Sequence, residues 1–194
     1  ENIYIPSTPV NQPVINASDN GNCNNILIDS AASLTLHSGA SFISNGIINN
    51  NGTMNAKLFV TGGSNSTSNN LHGIGLPVNN ATVGDYFSND SLFTYNEANN
   101  TWSFVSSNQT VLEQCKGYML KNFTGNKTYN FSGTFNNGHY SHSLVNSGAG
   151  TTHGFNFVAN PYPSYISLEL ISGNNTGNTF WVYDRAIQNY INYQ

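Results

Sequence analysis

The side chains able to do chemistry are few and scattered: five Lys/Arg, nine Asp/Glu, five His and two Cys over 194 residues. Glycoside hydrolysis needs two carboxylates flanking one bond. Asp85, Asp90, Glu97, Glu113, Glu169 and Asp184, with Glu1, Asp19 and Asp29 near the start, form no paired motif and read as solvated surface acids. His139-Tyr140-Ser141-His142 has the residue types of a zinc site, but strand positions three apart face opposite sides, so both imidazoles reach one metal only at a bend. No Gly-x-Ser-x-Gly elbow supports a hydrolytic triad. Gly73-Ile74-Gly75 lacks the third glycine and the helix of a phosphate cradle and reads as a turn. Asp85, Asn89 and Asp90 could offer oxygen ligands to calcium, yet no Asp-x-Asp-x-Asp loop is present. The expectation is a chain without catalytic residues, metal ligands or cofactor, calcium being the one ion left open.

What remains for recognition is aromatic. Exposed rings stack on sugar faces, and neighbouring amides bond hydroxyls. Trp102, Tyr162 and Tyr165 are the candidate ligand-binding residues, while most of the other rings alternate with polar residues and are expected in the core. Cys23 and Cys115 lack metal spacing, and in an oxidising compartment they could form a disulfide worth about 4 kcal/mol in the chain-entropy view. Two unpaired thiols are the alternative. Eleven Asn-x-Ser/Thr sequons occur, against about seven from composition alone, so glycosylation at asparagine is only weakly indicated. Five basic residues without clustering give no footprint for nucleic acid. No run approaches 18 apolar residues, so no helix is expected to insert in a membrane.

The elements that must position these residues are strands. Asn, Ser, Thr and Gly make up 91 of the 194 residues, and they cluster between short β-branched or aromatic runs. No stretch keeps a 3.6-residue apolar period, which is the all-β pattern. In residues 1–62 the apolar clusters Ile26-Leu27-Ile28, Leu34-Thr35-Leu36 and Phe42-Ile43 follow one another about eight residues apart. Strands too short to bury a face alone must stack, so this segment is expected to form one and a half to two turns of a β-solenoid, with a sandwich of short strands the alternative that gives a similar string. Gly39, Gly46 and Gly52 are expected at corners with positive φ. Residues 63–70, GGSNSTSN, read as a linker. From 71 to 194 longer aromatic strands, expected at 91–95, 101–106, 117–121, 128–132, 154–159, 165–171 and 179–184, predict an antiparallel, jelly-roll-like β-sandwich. The segment WVYDRAIQNYINYQ stops in mid-pattern, as in a fragment of a longer protein.

Several stretches resemble the secreted cell-surface proteins of the Bacteroidetes group. They are Ile3-Tyr4-Ile5-Pro6, Cys23-Asn24-Asn25-Ile26-Leu27-Ile28, Phe131-Ser132-Gly133-Thr134-Phe135-Asn136-Asn137-Gly138 and, above all, Gly154 to Ser164, GFNFVANPYPS. The resemblance implies a large extracellular or outer-surface protein exported by the type IX secretion route. It implies no catalytic residue, and partners among other domains of the same chain, cell-surface components or glycans. Asp29-Ser30-Ala31 and Asp90-Ser91-Leu92 resemble the O-glycosylation acceptor triplet of the same group, which would make Ser30 and Ser91 modified residues. In Asn160-Pro161-Tyr162-Pro163-Ser164 two prolines fix φ and hold their predecessors extended, giving a rigid corner in which either Xaa-Pro bond could be cis. The same element could also present Tyr162 and Tyr165 as a binding ledge. The expected function is a non-enzymatic structural or adhesive module of a larger surface protein. A carbohydrate-binding module is the alternative, and a polysaccharide-cleaving solenoid comes third because residues 26–60 hold one acid, Asp29, and one base, Lys57.

Overall fold

A computed structural model describes residues 1–8, 10–62, 71–121, 125–148, 153–171, 179–184, 187 and 189–193. The chain is all-β. Its first part winds as a parallel solenoid. β1 (Ile3–Ile5), β2 (Val14–Ile15) and β3 (Asn20–Cys23) form the first coil, and β4 (Ile26–Ile28), β5 (Ser33–Leu36) and β6 (Ser41–Ser44) the second. β7 (Ile48–Asn50) and β8 (Thr53–Val60) begin a third. Each side is a parallel ladder: Ile3 lies beside Ile26 and Ile26 beside Ile48, Val14 beside Thr35, Ser33 beside Thr53, and Asn20 beside Ser41. One coil therefore takes 20 to 23 residues. The eight-residue spacing in the sequence marks successive sides of a coil, and the stack is longer than the expected one and a half to two turns.

Two-residue strands cannot hold a coil alone, and side chains at the corners complete it. Asn2 Oδ1 accepts from Asn25 Nδ2 at 2.9 Å and from the Asn25 backbone N–H at 3.2 Å, and Asn25 Oδ1 in turn accepts from Ile47 N at 2.8 Å. Gln12 Oε1 takes the N–H of Ser33, and Ser38 Oγ that of Phe59. Each coil thus satisfies donors of the next, which is the condition for burying its backbone. Of the three corner glycines only Gly39 has a left-handed φ, +85°. Gly46 and Gly52 are required for space instead: a Cβ at Gly46 would collide with Asn25 Oδ1, and one at Gly52 with the carbonyls of Asp29 and Ala32.

The second part is built around an antiparallel sheet of order β11-β10-β12-β9, from β9 (Leu71–Ile74), β10 (Ser91–Asn96), β11 (Thr101–Phe104) and β12 (Tyr118–Lys121). A single helical turn, α1 (Val83–Tyr86), is closed by a capping box between Thr82 and Asp85. β13 (Lys127–Ser132) does not join that sheet. It lies antiparallel on β8 along six residue pairs, from Lys127 beside Val60 to Ser132 beside Asn55. The solenoid and the sandwich-like half therefore share one sheet, β13-β8-β5-β2. One buried cluster runs from Ile5, Ile26 and Leu34 through Met54 to Phe87, Leu92, Leu120, Phe131 and Phe135. The linker expected at 63–70 lies outside the described residues.

Two expected strands are absent as such. Residues 154–159 meet the sheet at the start of the inner strand β12, through a bridge between Lys116 and Val158, and within 165–171 residues Leu168–Leu170 form a 3₁₀ turn. The last pair, β14 (Phe180–Asp184) and β15 (Asn189–Tyr193), is an antiparallel hairpin. Cys23 is buried in the solenoid and Cys115 sits in a turn at φ +61°, and both are free thiols, so the disulfide that the sequence allows is not formed.

Phe135 joins the halves, packing at 6.0 Å against Phe42 with 2% of its surface exposed. Phe135→Ala is expected to cost about 3–5 kcal/mol. Chemical denaturation should show this as a single shifted transition reported alike by tryptophan fluorescence and far-ultraviolet circular dichroism.

Candidate functional site

Alternation along β10 and β11 sends Leu92 inward and puts four rings on the outer face of the antiparallel sheet. Phe93 lies beside Phe104 and Tyr95 beside Trp102 in register, with ring centroids 5.6 and 5.3 Å apart. Trp102 and Phe104 remain 42% and 54% exposed because β11 is the edge strand. Phe157, from the segment expected to be a strand, lies edge-on to Trp102 at 5.2 Å. Its ring rests where Gly73 and Gly117 carry no side chain: a Cβ at Gly117 would come within 2.5 Å of it. The N–H of Gly117 donates to Phe157 O at 2.8 Å and that of Ala159 to Cys115 O at 2.8 Å, fastening the segment across the sheet.

Beside this face the β10–β11 turn carries Glu97. Sequence reasoning placed it among solvated acids, but it is buried. Its carboxylate accepts from Gly154 N at 2.6 Å and from Ser147 N at 3.1 Å. Gly154 N–H, then the Ser147 groups and the His153 ring, hold the carboxyl below its ordinary range against the opposing effect of burial. Ser147, His153 and Glu97 supply the three types of a hydrolytic triad. A relay, however, needs the hydroxyl and the acid on opposite ring nitrogens. Here Ser147 Oγ stands 3.0 Å and Glu97 Oε1 3.6 Å from the same atom, His153 Nδ1. The arrangement fastens a loop and cannot pass a proton from Ser147 through the ring to Glu97. A buried acid in a polar turn leaves no trace in sequence, since its partners are backbone groups 50 or more positions away.

The remaining candidates are distributed. The Asp90 side chain is also covered, paired with Lys127 at 2.5 Å, and Asp85 is occupied by the capping box with Thr82. Both carboxylates weighed for calcium thus have partners of their own, and among the described residues no three His, Cys, Asp or Glu side chains group to hold a metal. Ser91 is half-buried beside that ion pair, whereas Ser30 is exposed at a solenoid corner where Tyr4 donates to Asp29 at 2.6 Å.

The Asn160–Ser164 corner has no cis peptide bond and clamps the two halves. Asn136, buried, donates from Nδ2 to both Leu76 O and Pro161 O at 2.8 Å, and Phe42 N donates to Pro163 O at 2.8 Å. Tyr162 donates its hydroxyl to Gly138 O at 2.6 Å and stacks edge-on to Tyr140. Tyr165, 71% exposed, donates to Gly39 O at 3.1 Å. Of the three rings singled out in the sequence, Trp102 belongs to the sheet face, while Tyr162 and Tyr165 bond backbone at the clamp; no ring contact joins them to Trp102. No protein-family model, curated protein or solved structure matches the chain.

Because the Glu97 carboxyl is held below its ordinary value of 4.5, the stability it confers is complete above that value. It is lost as pH falls through the lowered folded-state value. Glu97→Gln, which turns one acceptor into a donor facing backbone N–H groups, should lower the melting temperature at pH 7. It should also flatten the decline below pH 4.5 in a thermal-melt pH series. An unchanged pH profile would exclude Glu97 as its source.

Proposed function

We propose that this chain is a non-enzymatic structural or adhesive module of a larger bacterial cell-surface protein, of the kind exported by the type IX route. The observation that supports this reading is the continuity of the two halves. The shared sheet at β8 and β13, the Asn136 and Pro163 clamp and one apolar core make the stack and the sandwich-like half a single rigid body. Its corners are mostly amides and hydroxyls, which present hydrogen-bonding groups to neighbouring chains. Such a body transmits position and load between the parts of a long surface protein.

The carbohydrate-binding reading is favoured by a different observation, the half-exposed rings of Trp102 and Phe104 on the sheet edge. Their neighbours are tilted by 57° and 59°, so they suit single sugar rings better than a flat crystalline polymer.

Deleting residues 1–194 from the parent protein in its native host, with export of the remainder verified, should reduce attachment of cells to surfaces without loss of any polysaccharide-degrading activity. Unchanged attachment, or lost degradation, would contradict the structural or adhesive reading. Selective signals on a glycan array that disappear in Trp102→Ala would move the assignment to the carbohydrate-binding one.

A further inference from the structure

The ion pairs Lys116–Glu113 and Lys127–Asp90 have opposite surroundings. The first joins residues three apart in one turn, and its acid is 58% exposed. The second joins residues 37 apart, and its Asp90 side chain is 3% exposed, with Lys127 Nζ 2.5 Å from Asp90 Oδ2. Local structure fixes both partners. Asp90 closes the turn after α1, its N–H donating to Phe87 O at 3.0 Å, and Lys127 opens β13 in register with the buried Val60. Lys127 Nζ lies 4.5 Å from the centroid of the Tyr129 ring, against which Phe87 packs at 5.2 Å. The Tyr129 hydroxyl is buried beside the Asp90 carboxyl, yet among the described residues it has no hydrogen-bond partner of ordinary geometry. A buried donor left so calls for an explanation. Burial, then the neighbouring carboxyl, hold this hydroxyl above the usual tyrosine range, so it keeps its proton as a donor.

We propose that Lys127 and Asp90 are the site of an autocatalytic isopeptide bond, a covalent cross-link of the chain to itself. The proton shared between them rests on Asp90 Oδ2 in the reacting form, which leaves Nζ with a lone pair. Nζ attacks Asp90 Cγ, and the C=O electrons move onto the other carboxyl oxygen, where the Tyr129 hydroxyl donates to the developing oxyanion. The tetrahedral centre then collapses. The Cγ–Oδ2 bond breaks, and Oδ2 leaves as water with a second proton from Nζ. No oxidant, reductant or further reactant enters. The product is a neutral amide, so the reaction removes both charges from a place where water is kept from the carboxyl, an exchange from which the solvated Lys116–Glu113 pair gains little. The cross-link would tie the turn ahead of β10, in the antiparallel sheet, to β13, in the sheet shared with the solenoid. It supplies the covalent closure that the two free cysteines do not, and it stands whichever function proposed above is correct.

Mass spectrometry of the folded, purified chain, denatured and reduced for the measurement, tests this without any variant. The expected mass is one water below that of the sequence. Trypsin does not cleave after an acylated lysine, so digestion should release residues 58–116 joined to residues 122–185. Lys127→Arg, which keeps the charge but not the nucleophilic amine, should show the full mass of its own sequence and no joined peptides. Tyr129→Phe removes a hydroxyl without a partner and keeps the ring. It should slow the appearance of the joined peptides in freshly synthesised chain about a hundredfold, with an unchanged circular dichroism spectrum. A folded wild-type chain that holds its full sequence mass through prolonged incubation overturns the proposal and leaves an ion pair only. A lost water that persists in Lys127→Arg also overturns it, since dehydration then lies elsewhere in the chain. Cross-linking at an unchanged rate in Tyr129→Phe overturns the part assigned to Tyr129.

Discussion

The architecture of the solenoid follows from the obligation to pair backbone N–H and C=O groups when the strands, β1 to β7, are two to four residues long. Separated from their sequence neighbours by corners, these strands bond the strand one coil away. The corners between strands leave donors that only side chains can reach. Asparagine suits this task because its short amide offers an acceptor to the next coil and a donor to the previous one, as the relay from Ile47 through Asn25 to Asn2 does. The abundance of Asn, Ser and Gly is thus a direct consequence of corner geometry. Charged residues would bring desolvation cost to the same places without improving the bond.

A coil stack transfers its unmet bonds to its ends, and the second half of the chain is arranged around that fact. β13 returns from the antiparallel half to lie on β8, and the Asn160–Ser164 corner supplies Pro163 O to the N–H of Phe42. Asn136 holds the corner against the Leu76 carbonyl, and Phe135 fills the space beside Phe42. The two prolines fit here because both backbone partners are carbonyls, so their missing N–H groups cost nothing. The antiparallel half therefore acts as the cap of the solenoid, and the aromatic sheet face and Glu97 are carried on that cap.

The all-β class, the stacked short strands and the positions of β10 to β13 were legible because apolar runs and turn residues are local signals. Gly46 and Gly52 were read as corners for the wrong reason: it is the neighbouring coil's carbonyls, invisible in one dimension, that exclude a side chain. Residues 154–159 have the alternation of a strand, but Phe157 is drawn into the gap over Gly73 and Gly117, and the segment lies over the sheet instead of extending it. Trp102 was recognisable as a candidate from its type and alternation. Glu97 was not, because its carboxylate is held chiefly by backbone N–H groups 50 and 57 positions away, and such partners leave no residue type to read in sequence. The division at 63–70 followed composition, whereas the pairing of Lys127–Ser132 with Asn55–Val60 is set by register across the chain.

The central claim is that the solenoid and the antiparallel half are one cooperative unit joined through β8 and β13. Native-state hydrogen exchange measures this directly, since amides that open together report one free energy. The account predicts that the amides of β4, β5 and β8 in the solenoid and of β12 and β13 beyond it share the highest protection and respond with the same slope to added denaturant. Two protection classes divided between β8 and β13, with the solenoid strands opening while β12 stays closed, would contradict it.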